Sequence, residues 1–217
     1  MAFDYALNRD ERRELSQLNS PRRIQNFLDA IPYSCEPVYR CPLQVLRDRL
    51  AHCFDGALFG AAALRRLGYP PLILDMIPDD RDDEHMLALY KNEGHWGAIA
   101  KSNTVGLRFR EPVYRSLREL VMSYFELYYN IEGEKTLRGY TAPLNLQAFD
   151  RYDWMTSAAS LERIAQRTEE IRRYFLLTPA MIAGLSPVDE RLFKACFMGA
   201  KKDGLFKPSV ITAKDGS

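Results

Sequence analysis

The stretch Cys53–Leu67, CFDGALFGAAALRRL, limits the architecture of this chain more than any other. It reads as a helix whose inner positions are small: Gly56, Ala57, Gly60, Ala61, Ala62 and Ala63. Small side chains let a helix backbone lie close to a neighbouring layer, while Phe54, Leu58, Phe59 and Leu64 supply apolar volume. Almost no polar face remains before Arg65-Arg66, so the helix is expected to be buried. Gly68 suits a C-cap, and Pro70-Pro71 prevents continuation.

The flanking segments predict what buries it. Residues 8–29 read as helix, with Asn19-Ser20-Pro21 as a cap signal inside them and Ile24, Phe27 and Leu28 on one face. Leu43–Leu50 is a short helical run. After the small-residue helix come three β-type runs: Leu72–Ile77, His85–Tyr90 and Trp96–Lys101, the last two joined by a Gly-containing hairpin connection. Val105–Arg110 reads as a further edge strand that Glu111-Pro112 ends. Ser116–Asn130, Leu161–Leu176 and Asp189–Ala200 read as helices, and Gly133–Asp153 as an ordered loop region. The expectation is one α+β domain over residues 1–217, with a core at 20–130 and a helical C-terminal extension at 131–217.

Composition excludes several classes. The 217 residues are 47% hydrophobic and 27% charged, which argues against disorder. With 30 basic and 29 acidic residues the net charge is +1, which gives no pull toward nucleic acid. No apolar run approaches a membrane span, and the charged N-terminus has no apolar signal region, so a cytoplasmic protein is expected. Cys35, Cys41, Cys53 and Cys196 do not make a disulfide framework. Cys35 and Cys41 alone fall short of the four N/S ligands of a closed zinc site, and the acidic loop Pro78–Glu84 lacks an EF-hand pattern. No metal and no cofactor is expected.

What remains is a thiol chemistry. Cys53 opens the helix, where unpaired N–H groups favour an anion. His85 opens a strand, and Asn103 lies just past the end of the next one. A thiol, an imidazole and a polar group that accepts the second ring N–H form a nucleophilic site when they meet in space. Asp79, Asp80, Asp82, Asp83 and Glu84 immediately precede His85 and are expected to raise its pKa, favouring a thiolate–imidazolium pair. The Cys53 backbone N–H is one expected oxyanion donor, and Gln44 is a weaker candidate for the second. His52, about 100° around the helix from Cys53, is expected to cap or pack.

Three runs carry a family resemblance: Ile31-Pro32-Tyr33; His52-Cys53-Phe54-Asp55-Gly56-Ala57-Leu58-Phe59; and Leu64-Arg65-Arg66-Leu67-Gly68-Tyr69-Pro70. Together they resemble the core of the transglutaminase-like superfamily over roughly residues 20–130. In that family a Cys opens a helix, a His begins one strand and a Trp the next; His85 and Trp96 stand at those places. The resemblance implies a papain-like fold with the Cys helix on an antiparallel sheet. It also implies thiol-dependent acyl transfer or hydrolysis at an amide of a peptide, protein or small molecule. The family pattern has Asp where this chain has Ala100, so Asn103 is the expected orienter. Two alternatives are an arylamine-type N-acyltransferase and a non-catalytic interaction module, the latter motivated by Ala100. The Tyr124, Phe125, Tyr128 and Tyr129 cluster reads as core packing or as an oligomer contact.

Overall fold

Strand β1 (Leu72–Pro78) runs through the middle of a seven-stranded sheet in which every pairing is antiparallel. On one side lie β2 (His85–Asn92), β3 (His95–Ile99) and β4 (Arg110–Tyr114); on the other lie β5 (Leu137–Thr141) and β7 (Arg173–Phe175). The two-residue β6 (Leu144–Asn145) also pairs with β1. This is a computed structural model, and it describes residues 2–206.

The inner strands are apolar on both faces because both are covered. Side chains alternate across a strand, so Ile73, Met86, Ala88 and Ile99 face one core while Leu74, Leu87, Leu89 and Ala98 face a second. The first core is closed by α5 (Cys53–Arg66), buried from Phe54 through Leu64 as its composition demands. Behind α5 lie α3 (Pro21–Ala30) and α4 (Pro42–Asp48), with the Phe27 and Phe59 rings stacked at 4.6 Å. Glycine sets the helix-to-sheet approach: a Cβ on Gly60 would lie 2.9 Å from that of Ala88, and one on Gly56 would overlap the Lys101 side chain. The second core is closed by α6 (Leu117–Met122) and the following Tyr124, Phe125 and Tyr128.

Polar links hold the ends of these layers. Arg65 makes a bidentate pair with Asp150 at 2.6 and 2.7 Å, tying the C-terminus of α5 to the 3-10 turn Leu146–Tyr152. The buried Lys101 Nζ donates to the Leu28 and Ile31 carbonyls at the end of α3. A cation at a helix C-terminus satisfies both the orphan carbonyls and the dipole. Among the described residues no helix is long and apolar enough to cross a membrane.

The structure corrects several expectations. The Ser116–Asn130 helix stops at Met122 and gives way to a 3-10 turn, Phe125–Leu127, because its aromatic residues pack inward. Leu161–Leu176 is helical only as α7 (Leu161–Glu170), after which Arg173–Phe175 joins the sheet. Residues 105–109 are irregular; the edge strand is β4, and it runs through Glu111 and Pro112, which an edge tolerates. The region expected as loop, 133–153, supplies β5 and β6, so the sheet draws strands from beyond residue 130. The stretch after 130 is therefore not a purely helical extension, although α8 (Pro179–Ala183) and α9 (Glu190–Cys196) follow there.

Candidate active site

Cys53 is the first residue of α5, and the sequence just before it builds the helix start. His52 is the N-cap: its Nδ1 accepts from the Phe54 N–H at 3.1 Å, while the Asp55 carboxylate reaches back to the His52 N–H at 3.2 Å. Asp55 also accepts from the Arg40 N–H at 2.7 Å. Two buried polar groups are thus consumed in setting the backbone on which the thiol stands. Burial pushes His52 down to about 4 and Asp55 up to about 6.

The half-buried Cys53 Sγ lies 3.8 Å from the Glu84 carbonyl, its hydrogen-bond partner among the described residues. Burial pushes the thiol up to about 12, and Asp83 adds to the rise; the Met86 N–H pulls the other way. Asp75, buried on β1 with Oδ1 unpartnered, is a further negative neighbour. Its own carboxyl is held well above the ordinary range by burial and by Glu84.

His85 is the first residue of β2, opposite Met76 of β1. Its ring Nε2 is 2.7 Å from the Leu107 carbonyl oxygen. A carbonyl can only accept, so Nε2 carries the proton and Nδ1 keeps the free lone pair. Burial pushes His85 down to about 4; the Leu107 bond opposes this, and Arg110 adds to it. The expected thiolate–imidazolium pair is therefore not the resting form, since both groups are held neutral. The acidic loop does not raise His85, because burial dominates and the charge that acts on it is Arg110. Asp79 pairs with Arg81 and Arg138, Asp82 accepts from Thr136 Oγ1, and Arg81 also meets Glu134.

Asn103 makes its hydrogen bonds away from His85. Its Nδ2 donates to the Lys201 carbonyl at 2.8 Å and its Oδ1 accepts from the Lys201 N–H at 2.9 Å. With both amide atoms engaged there, the orienting contact on His85 comes from Leu107 instead. A main-chain carbonyl leaves no side-chain signal in a sequence. At the family's Asp position, Ala100 is clasped through its backbone by the buried Gln25, which accepts from the Ala100 N–H and donates to its carbonyl. Gln44 closes a capping box on Cys41. His95 lies beside its turn with Nδ1 3.0 Å from the Glu93 carbonyl, and Trp96 packs half-buried on the second core.

Cys53, His85 and Asn103 nevertheless line one cavity of about 80 Å³, with Leu107 and Tyr128. A cleft of about 770 Å³ adjoins it and shares Tyr33, Cys53 and Glu84 as walls. Tyr33, which the sequence reading noted only as part of a motif, presents its hydroxyl to the Cys53 N–H. Burial and the nearby Cys53 and Asp83 raise its pKa. Among the described residues no group of three or more His, Cys, Asp or Glu side chains is arranged to hold a metal ion.

No known family model matches the sequence, and no curated protein matches it. Among solved structures, Legionella pneumophila LapG is similar at 12% identity and a TM-score of 0.40, over 70% of this chain and 90% of that one. The EGTA-treated form of Legionella pneumophila LapG gives 12% identity and a TM-score of 0.38, over 70% and 91%. Both likenesses are distant.

Proposed function

We propose that this chain is a thiol-dependent enzyme that transfers or hydrolyses the acyl group of an amide, with Cys53 as nucleophile and His85 as general base. The observation that carries this reading is that both residues open onto one cavity while the Leu107 carbonyl sets the imidazole tautomer that leaves Nδ1 free to take a proton. The fold expectation supports it, since a Cys-bearing helix packs on an antiparallel sheet that carries the His.

In the proposed reaction the thiol attacks the amide carbonyl carbon while its proton passes to His85 Nδ1. A C–S bond forms and the carbonyl π pair moves onto oxygen. The Cys53 N–H, directed at the Tyr33 hydroxyl in the resting form, is the nearest oxyanion donor. Collapse expels the amine, which takes the proton back from the imidazolium and leaves a thioester. Water or a second amine then releases the acyl group. Neutral thiol and neutral imidazole suit proton transfer concerted with attack rather than a preformed ion pair.

The test is acylation by p-nitrophenyl acetate, read by mass spectrometry as an acetyl group on Cys53. Cys53→Ala abolishes the adduct, and His85→Ala slows its formation by about 10²–10⁴-fold. Equal rates in wild type and His85→Ala would overturn the reading.

A second reading is favoured by the Sγ contact to the Glu84 carbonyl and by the neutral resting forms: a non-catalytic interaction module on the same fold. It predicts no acetyl group on Cys53 in any variant.

A further inference from the structure

One wall of the cleft beside Cys53 is built by the chain's own segment after α9. After α9 the chain returns across the site, and Gly204, Leu205 and Phe206 line both the inner cavity and the outer cleft. Leu205 and Phe206 are half-buried there. The segment is held at Lys201, through its main chain and its side-chain amine. The Asn103 amide clasps the Lys201 N–H and carbonyl, as a neighbouring β-strand would. The Lys201 Nζ donates to the Tyr33 carbonyl at 2.8 Å. At Gly204 an added Cβ would lie 2.9 Å from Cys35 Sγ and 3.1 Å from both Asn103 Nδ2 and Tyr33 Cδ1, so the backbone lies directly on the cleft wall.

We propose that the cleft beside Cys53 is a binding groove for a polypeptide segment, and that the chain's own Lys201–Phe206 is a strap forming its wall, which an incoming chain displaces. Asn103 is then an anchor for main chain rather than a partner of His85. Its two bonds read no side chain of the segment they hold, so they would serve a substrate segment as well as the strap. All three anchoring bonds are solvent-exposed, where net strength is small, so the strap is releasable. The strap also helps to exclude water from Cys53 and His85, and its release would return both groups toward ordinary titration. The inference rests on Cys53 being the centre of the site, not on the chemistry performed there.

The test is the rate of iodoacetamide alkylation at Cys53, read on the Cys53-containing peptide by mass spectrometry. In Gly204→Cys the new Cβ position matches the separation of roughly 3 Å between Cβ and the far sulfur in a disulfide, so oxidation links it to Cys35. Linked protein should be alkylated at least about tenfold more slowly than the same protein after reduction. Asn103→Ala should be alkylated about tenfold faster than wild type, as expected for two lost hydrogen bonds of ordinary net strength. Gly204→Val, which alters only the strap, should show the same direction. A synthetic peptide of residues 200–206 at millimolar concentration should slow alkylation of Gly204→Val, which keeps the Asn103 anchor. Unchanged rates in the linked and released proteins, or a released protein that the peptide does not protect, would overturn the proposal. A protein that forms no acyl adduct yet shows these alkylation changes would refute the proposed activity alone.

Discussion

The His85 ring and the Leu107 carbonyl form a 2.7 Å hydrogen bond, while the Asn103 amide is bonded to Lys201. The His85 bond assigns the proton to Nε2 and leaves Nδ1 as the basic nitrogen. An orienting main-chain carbonyl cannot be removed by side-chain substitution, so the prediction concerns pH. Acylation of Cys53 by p-nitrophenyl acetate should depend on unprotonated His85 and fall away as pH drops toward about 4, where burial has pushed that group. Asn103→Ala should still require unprotonated His85 and lose no rate above neutral pH, with its fall-off moved up toward the ordinary imidazole range as the strap is released. A matching loss in Asn103→Ala and His85→Ala would restore Asn103 to the triad.

The thiol offers a second measurement. Burial and Asp83 push Cys53 up to about 12. In the resting protein, alkylation should therefore keep rising with pH through 8 and 10, without a plateau near neutrality. Asp83→Asn removes the largest charge contribution and should speed alkylation at pH 8 by a few-fold, since burial remains the larger cause. A plateau below pH 7 in wild type would show an ion pair that this geometry does not hold.

The helix start couples site geometry to stability. His52 has an unfolded value near 6.5 and is pushed down to about 4 in the folded protein. The unfolded chain therefore binds the extra proton between those values, and stability is lost as pH falls through that window. The full shift corresponds to at most about 3 kcal/mol. Asp55 opposes it: its folded value of about 6 lies above the ordinary carboxylate value near 4, so its contribution falls as pH rises from 4 to 6. His52→Asn keeps an N-cap acceptor but does not titrate. Its melting temperature should therefore drop less between pH 6.5 and 4 than that of wild type, as read by calorimetry. Equal drops would mean that His52 is not held neutral.

How much of this was legible in the sequence follows from which signals are local. The small-residue helix, its Gly68 stop, the three strands after it and the capping role of His52 depend on neighbours in sequence, and the structure places them within a residue or two of expectation. Strands β5 to β7 were missed because they are short and their pairing with β1 is decided by distant partners. The Tyr124–Tyr128 run looked helical by periodicity, but its rings are core ballast for the second face of the sheet. At the site, Cys53 and His85 line one cavity. The role of Leu107 and the presence of the strap were invisible, because both act through backbone atoms and because Lys201 is 98 residues from the Asn103 that holds it.

The approach of α5 to the sheet gives a last prediction, on the element that carries the nucleophile. At Gly60 an added methyl would meet the Ala88 Cβ at 2.9 Å and then the Ile99 side chain at 3.4 Å. Both neighbours sit in a covered sheet and have little room to retreat. Elsewhere in a helix, Gly→Ala is favourable by up to about 1 kcal/mol. Here overpacking of about 1–3 kcal/mol should outweigh it. Gly60→Ala should therefore lower the denaturant midpoint with an unchanged m-value, the mark of lost stability in one cooperative unit. Displacing the helix should also carry Cys53 away from His85, so acylation should fall together with stability. A Gly60→Ala protein that is more stable than wild type would mean that the helix stands farther from β2 than this geometry places it.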